Sequence, residues 1–463
     1  MQNSIRVTLI VIAILSYMGL TAQPTIQYTM PEETEQHEGT WLQWPHNHLY
    51  GPWYRDDVEP TWVAMTDELQ AGEKVHIIAY DAAEQAHIIS MLTNAGVPLT
   101  NVDFFIHETD DVWVRDNGPM FVYDQNNDLA LLDWGFNGWG GDTPYSKCDI
   151  IPQSVSTDIG TPSVDLNAMV LEGGAIEHDG HGTMIATRSS ITHSSRNPTL
   201  SETQIEDYLT TYMGITKFIW LDGVYGQDIT DQHIDGFVKF ANDSTIVSMN
   251  NTDLAYWLVS PSEITIINTA TNVSGNAYNI VTVPLTQNNV VTTYGNNLGF
   301  KGSYCNYYIG NDVVLVPTYN DPNDAVAINI IQGIYPARTV VGVDVRNIYE
   351  YGGMIHCVTQ QQPVALNPTD VAQVTTTTLE LMQNKPNPFS DLTTITFSIN
   401  ELSTVTLELY DVLGQKVKTI INSKTLTGEQ SVVFDAAELE NGIYFYTLTV
   451  NGQAISRKMI VSK

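Results

Sequence analysis

The chain is predicted to fold as a mixed α/β body followed by a small all-β sandwich, and three observations predict it. Strand-like and helix-like runs alternate between residues 28 and 362, and the apolar runs after residue 382 alternate with period two. A polar, threonine-rich stretch around Thr375 and Thr378 separates the two regimes.

A leader comes first. Arg6 gives it a positive start, residues 7–20 are apolar, and Thr21 and Ala22 offer a small-residue cleavage site, so residues 1–22 read as a secretory signal. That run is short for a bilayer, and no later stretch is long and apolar enough to span one, so no transmembrane segment is expected after its removal. The body is assigned to residues 23–364. Within it residues 74–80 and 313–317 read as strands, while residues 82–95 and 323–335 carry apolar residues at helical spacing. No clean internal sequence repeat is evident. Residues 365–381 read as a linker. In residues 382–463, runs 393–399, 405–410 and 443–450 are short strands separated by turns such as Leu413-Gly414 and Asn441-Gly442.

Charge narrows the function. The chain has 19 Lys and Arg against 52 Asp and Glu, a formal net charge of -33. That balance excludes nucleic-acid binding through phosphates. It attracts cationic substrates, or else keeps an exported protein soluble. From residue 382 onward the basic residues offset almost all the acids, so the negative charge belongs to the body. The three cysteines, Cys148, Cys305 and Cys357, exclude a disulfide framework and leave at least one thiol free or paired with another chain.

Cys357 follows the pair Gly352-Gly353 and is a candidate nucleophile, which requires a positive charge or proton acceptor nearby. His356 is adjacent, but in an extended segment it would face away. His233 and Asp235 on a strand end would share one side and supply an acid/base with a carboxylate; a structural His–Asp pair at a loop edge is the alternative. Trp113, Arg115 and Asp116 add an indole, a cation and a second carboxylate. Two carboxylates can grip the edges of a guanidinium while an indole covers its face, although Arg115 and Asp116 also suit a structural ion pair. Glu172, beside Gly173 and Gly174, would line the site and bind substrate, or lock Arg115. His46, His48, His178 and His181 make no zinc pattern with the cysteines, and no phosphate-binding or dinucleotide glycine loop is present, so neither a metal nor a cofactor is expected.

Residues 30–33, 37–45, 113–119, 171–174, 196–198 and 352–363 resemble agmatine deiminase and its sister, bacterial-type peptidylarginine deiminase. The resemblance implies a five-bladed α/β propeller of the pentein type. It makes Cys357 the nucleophile, His233 the acid/base, and Asp116 with Asp235 the guanidinium clamp, with Trp113 walling the pocket and Asn306 near the substrate. The implied reaction passes through a covalent thiouronium on Cys357 and releases ammonia. Residues 133–141 resemble the agmatine side and lack the arginine pair that grips a peptide carboxylate, yet Ile229 stands where agmatine enzymes carry Glu. Agmatine, converted to N-carbamoylputrescine, is therefore the first expectation and arginine in peptides the alternative. A non-catalytic displayed scaffold and a cysteine protease are further readings that ammonia release without peptide cleavage would separate.

Residues 384–389, 409–414 and 442–444 resemble the sorting domain of the type IX secretion pathway. That implies export across the outer membrane through its secretion machinery, and a secreted or surface-attached protein. An adhesive β-module is the alternative.

Overall fold

Strand His37–Gln43 runs parallel to Lys74–Ala79 through helix Pro52–Leu69, and Lys74–Ala79 runs parallel to Val102–Ile106 through helix Ala82–Ala95. In this computed structural model the described residues are 24–48, 50–366, 380–411, 416–437, 439–450 and 453–463. The expected leader, most of the expected linker and the Leu413-Gly414 turn lie outside them. The chain divides into two units, Met1–Pro368 and Thr369–Lys463.

The helix expected at residues 82–95 has those bounds because its ends are chemically marked. Asp81 accepts from the N–H groups of Ala83 and Glu84, and Gly96 stops the helix at φ 81°. The second expected helix runs Asp324–Ile334. Both are crossovers between parallel strands, as parallel pairing requires.

A structural repeat emerges that the sequence does not display. Five sheets share one order: a short strand, an antiparallel partner, a helix, and a strand parallel to that partner. Met120–Asp124 pairs with Leu129–Gly135, which runs beside Ser163–Val170. Ile176–His178, Val238–Asn242 and Tyr308–Ile309 begin the next three sheets in the same way. In the remaining sheet the short strand is the last of the body, Gln360–Pro363, which pairs antiparallel with His37–Gln43. Five repeats equal in number the five blades expected. Between them lie cores of aliphatic and aromatic side chains in which Trp41, Trp44 and Trp62 are fully buried.

The second unit is all β. Strands Glu380–Leu381, Leu392–Tyr410, Lys416–Asp435, Gly442–Val450 and Gln453–Val461 are joined by continuous hydrogen bonding. Leu392–Tyr410 spans two expected strands and carries register shifts between Ile399 and Ser403 and again beyond Val405. Phe397, Leu407, Tyr446 and Leu448 are fully buried on its inner side. Among the described residues no helix is long and apolar enough to cross a membrane.

Candidate active site

Each of the five sheets contributes one segment to a common site, and each segment lies just before a short first strand. Val114–Asn117 precedes Met120, Gly173–Ala175 precedes Ile176, Ile234–Gly236 precedes Val238, and His356–Val358 precedes Gln360; all four are single helical turns. Asn306 precedes Tyr308. The tight turn lets a side chain at the strand mouth point across to the other segments.

These turns bring together the residues singled out from the sequence. His233 Nε2 lies 2.8 Å from Glu172 Oε2, and its Nδ1 is 3.6 Å from Asp116 Oδ1. Asp116 accepts from the Gly174 N–H and the Trp139 indole N–H, both at 3.0 Å. Asn306 Nδ2 is 3.4 Å from Cys357 Sγ and 3.4 Å from the Asp235 carbonyl. Gly174 occupies the centre: a Cβ there would fall 2.7 Å from His233 Nδ1, 2.8 Å from Asp116 Oδ1 and 3.1 Å from Asp235 Oδ2. The glycine is the space into which these three side chains converge. Gly353 has a parallel task, since a Cβ there would overlap the Trp113 indole.

Several expectations require correction. His356 is turned away from Cys357, but by a helical turn rather than by an extended strand. It is clamped between Asp235, 2.8 Å from Nδ1, and Glu33, 2.9 Å from Nε2. His233 stands at the start of a helical turn and Asp235 within it, not on a strand end. Glu172 neither touches Arg115 nor lines the cavities beside Cys357; it is fully buried behind His233 and pairs with Arg196 at 2.8 Å. Arg115 lies 3.7 Å from Glu33 and donates to the His356 carbonyl and to Gln361. It makes no pair with Asp116, so the Arg115–Asp116 ion pair is absent among the described residues.

Burial governs the electrostatics. It raises Asp116 to about 6, with help from Glu172 and Asp235. His233 moves the opposite way from a buried histidine: desolvation opposes its charge, but Asp116, Glu172 and Asp235 outweigh it and raise it to about 9. Asp235 is desolvated too, yet the hydrogen bond and charge of His356 hold it below the ordinary carboxylate value. Burial and the charges of Asp235 and Asp116 push the Cys357 thiol well above its ordinary value. All three cysteines are free. No group of three or more His, Cys, Asp or Glu among the described residues could hold a metal ion.

Cys357 stands at the junction of two cavities. One, of about 60 Å³, is walled by Trp113, Trp139 and Tyr54 and holds Asp116. The other, of about 500 Å³, holds His233 and Asp235 and is flanked by Tyr256, Trp257 and Phe300. The thiol thus lies between a cavity lined by Asp116 and one lined by Asp235.

Residues 29–363 match the Porphyromonas-type peptidyl-arginine deiminase family. The chain belongs to that family. Residues 386–462 of this deiminase match a secretion system C-terminal sorting domain, which marks it for export. It is 30% identical over 357 residues to an agmatine deiminase of Pseudomonas aeruginosa, covering 73% of this chain and 95% of that protein. The solved agmatine deiminase of Enterococcus faecalis is 25% identical with a TM-score of 0.65, covering 73% of this chain and 97% of that one. The agmatine deiminase of C. jejuni, 22% identical with a TM-score of 0.61 over 74% of this chain and 98% of its own, shares the fold. These neighbours have the pentein fold expected from the sequence.

Trp139, Arg196 and Glu33 lie in runs that carry the resemblance, yet the sequence assigned them no role. Trp139 lies in the aromatic, glycine-rich run that the sequence offered, and a left-handed backbone at φ 54° turns its indole toward Asp116. Glu33 lies in the run 30–33 that carries the resemblance, but its partners Lys239 and His356 are 206 and 323 residues away, so its role is not legible locally.

Glu172 provides a test of this arrangement. Its charge and hydrogen bond help keep His233 protonated, so Glu172→Gln should move the alkaline limb of the pH–rate profile below about 9. His233, raised from 6.5, contributes stability that is full below about 6.5 and lost as pH rises through about 9; the substitution should narrow that window. Leaving Arg196 without its bidentate partner should also cost about 3 kcal/mol in a denaturant titration.

Proposed function

We propose that the protein is an exported guanidine deiminase of the agmatine deiminase type, with Cys357 as nucleophile. The observation that carries this reading is the thiol between Asp116 and Asp235 with His233 beside them, a constellation suited to a planar cation and to attack on its central carbon.

Burial and two carboxylates favour the protonated form of the Cys357 thiol. A bound guanidinium neutralises those carboxylates and favours the thiolate, whose proton passes to solvent. The thiolate attacks the guanidinium carbon and forms the S–C bond. The His233 imidazolium then gives its proton to the departing nitrogen, the C–N bond breaks, and ammonia leaves a thiouronium on Cys357. Neutral His233 takes a proton from water as the oxygen adds to the same carbon. The S–C bond breaks, and a ureido product leaves after losing the remaining proton. Asp116 and Asp235 hold the cation in one position throughout, which makes both attacks effectively intramolecular.

Agmatine is the substrate this reading favours. The narrow cavity carries Asp111 and Asp116 but no Lys or Arg, so it repels the carboxylate of free arginine and accepts an amine tail. Relatives named agmatine deiminase support the same choice. One observation favours arginine in peptides: the second cavity, at about 500 Å³ with an aromatic rim, is far larger than a small guanidine needs. N-Carbamoylputrescine and ammonia are the products in the first case, citrullinated peptides in the second.

The deciding experiment is ammonia release by the full chain offered agmatine, free arginine and arginine-containing peptides in parallel. Agmatine turnover with little from peptides is expected; turnover of peptides alone would assign protein citrullination instead, and silence on all three would remove the enzymatic reading. With agmatine, kcat/KM should fall below about pH 7 as Asp111 and then Asp116 take up protons and above about pH 9 as His233 loses one.

A further inference from the structure

We propose that Asp111 is the acceptor for the distal ammonium of the substrate and so the residue that selects a diamine-derived guanidine over an alkyl guanidine. The inference rests on the agmatine-type reading and adds a specificity residue to it.

Three observations converge on Asp111. It lines the narrow cavity together with Cys357, Asp116 and the Trp113 indole, so a group held at Cys357 and a group held at Asp111 share one chamber. It is buried, 6% exposed, and no Lys, Arg or His pairs with it among the described residues. One carboxylate oxygen accepts from the Val112 N–H at 2.9 Å, which fixes the orientation of the group without supplying a counter-charge. Beside it the Tyr54 hydroxyl is fully buried and has no hydrogen-bond partner, and it lines the same chamber. A carboxylate and a hydroxyl, both desolvated and both turned to an aromatic-walled space, form an acceptor pair for an ammonium.

Ile229 lines this chamber too and is apolar, so it supplies no charge to the amine. Asp116 is engaged by Trp139, Gly174 and His233 at the guanidinium end. Asp111 is left as the second carboxylate of the chamber. A substrate with a cation at each end of a short alkyl linker places one cation against Asp116 and the thiol and the other against Asp111. Burial opposes the charge of Asp111 and raises it to about 7, a penalty that an arriving ammonium relieves.

The test compares agmatine with butylguanidine, which has the same guanidinium and linker but no amine. Wild-type enzyme should prefer agmatine. In Asp111→Asn that preference should fall by about 10- to 100-fold, through KM for agmatine, with a much smaller change in butylguanidine turnover. Butylguanidine turnover reports an intact site within the same protein. If Asp111→Asn loses both substrates, Asp111→Glu, which keeps the charge, should restore the preference for agmatine along with turnover.

An unchanged preference in Asp111→Asn would overturn the proposal, as would equal loss of both substrates that Asp111→Glu does not restore. Wild-type enzyme that turns over peptides but not agmatine would overturn the functional reading itself, a result visible before any Asp111 variant is made.

Discussion

Cys357→Ala should abolish ammonia release, by at least about 10⁴-fold in kcat, with no loss of fold. The thiol is partly open to the two cavities, and the Asn306 side chain is its hydrogen-bond partner. No second cysteine lines either cavity, so no other thiol can take its place. The fold should survive because His356, on the same turn, stays anchored by Asp235 and Glu33. A change in unfolding free energy within about 1 kcal/mol is expected for losing one sulfur at a partly exposed position. Rapid quench followed by intact-mass measurement should detect a substrate-derived adduct on the wild-type chain and none on the variant. Retention of more than a few per cent of turnover would move the nucleophile elsewhere.

Gly174→Ala should cost about 10²- to 10³-fold in kcat/KM while binding no group and removing no charge. A Cβ at that position would stand 2.7 Å from His233 Nδ1 and 2.8 Å from Asp116 Oδ1, closer than real carbon atoms approach. Three side chains must then retreat, and the clamp loses the geometry that makes attack intramolecular. Overpacking of this kind costs about 1–3 kcal/mol in stability as well. The control is Gly96→Ala, at the end of a surface helix with φ 81° and open space around it. It should lower stability by about 1 kcal/mol through its left-handed backbone and leave kcat/KM alone. Equal effects of the two substitutions on activity would show that Gly174 acts through stability only.

The legible parts of the chain are those marked locally. Helix Ala82–Ala95 carries its caps in sequence, and Cys357, His233, Asp116 and Asp235 each sit beside a glycine or a turn. The five-fold repeat was illegible for two physical reasons. Its first strands are as short as Tyr308–Ile309, too brief for a period to register. The contacts joining successive segments span 58, 61, 71 and 51 residues, so no constant interval exists. The structure gathers Cys357, His233, Asp116, Asp235 and Asn306 as the sequence suggested, but with His233, Asp235 and Cys357 at helical turns rather than on extended backbone, because a one-turn helix before a strand has no sequence signature of its own. Glu172 illustrates the limit: a carboxylate beside two glycines looks like a ligand, and only its contacts with His233 and Arg196 reveal a support.

The pairing of Gln360–Pro363 with His37–Gln43 ties the end of the body to its beginning, with Cys357 just upstream of the closing strand. A chain emerging from a ribosome or a translocation channel, N-terminus first, lacks this strand and Cys357, the proposed nucleophile, until almost the whole body has passed. Long-range pairing of this kind also folds late and slowly. The order of residues along the polypeptide thus acts as a timer: Cys357 joins His233, Asp116 and Asp235 only when the body is complete, so an unfinished or unfolded export intermediate lacks the assembled constellation.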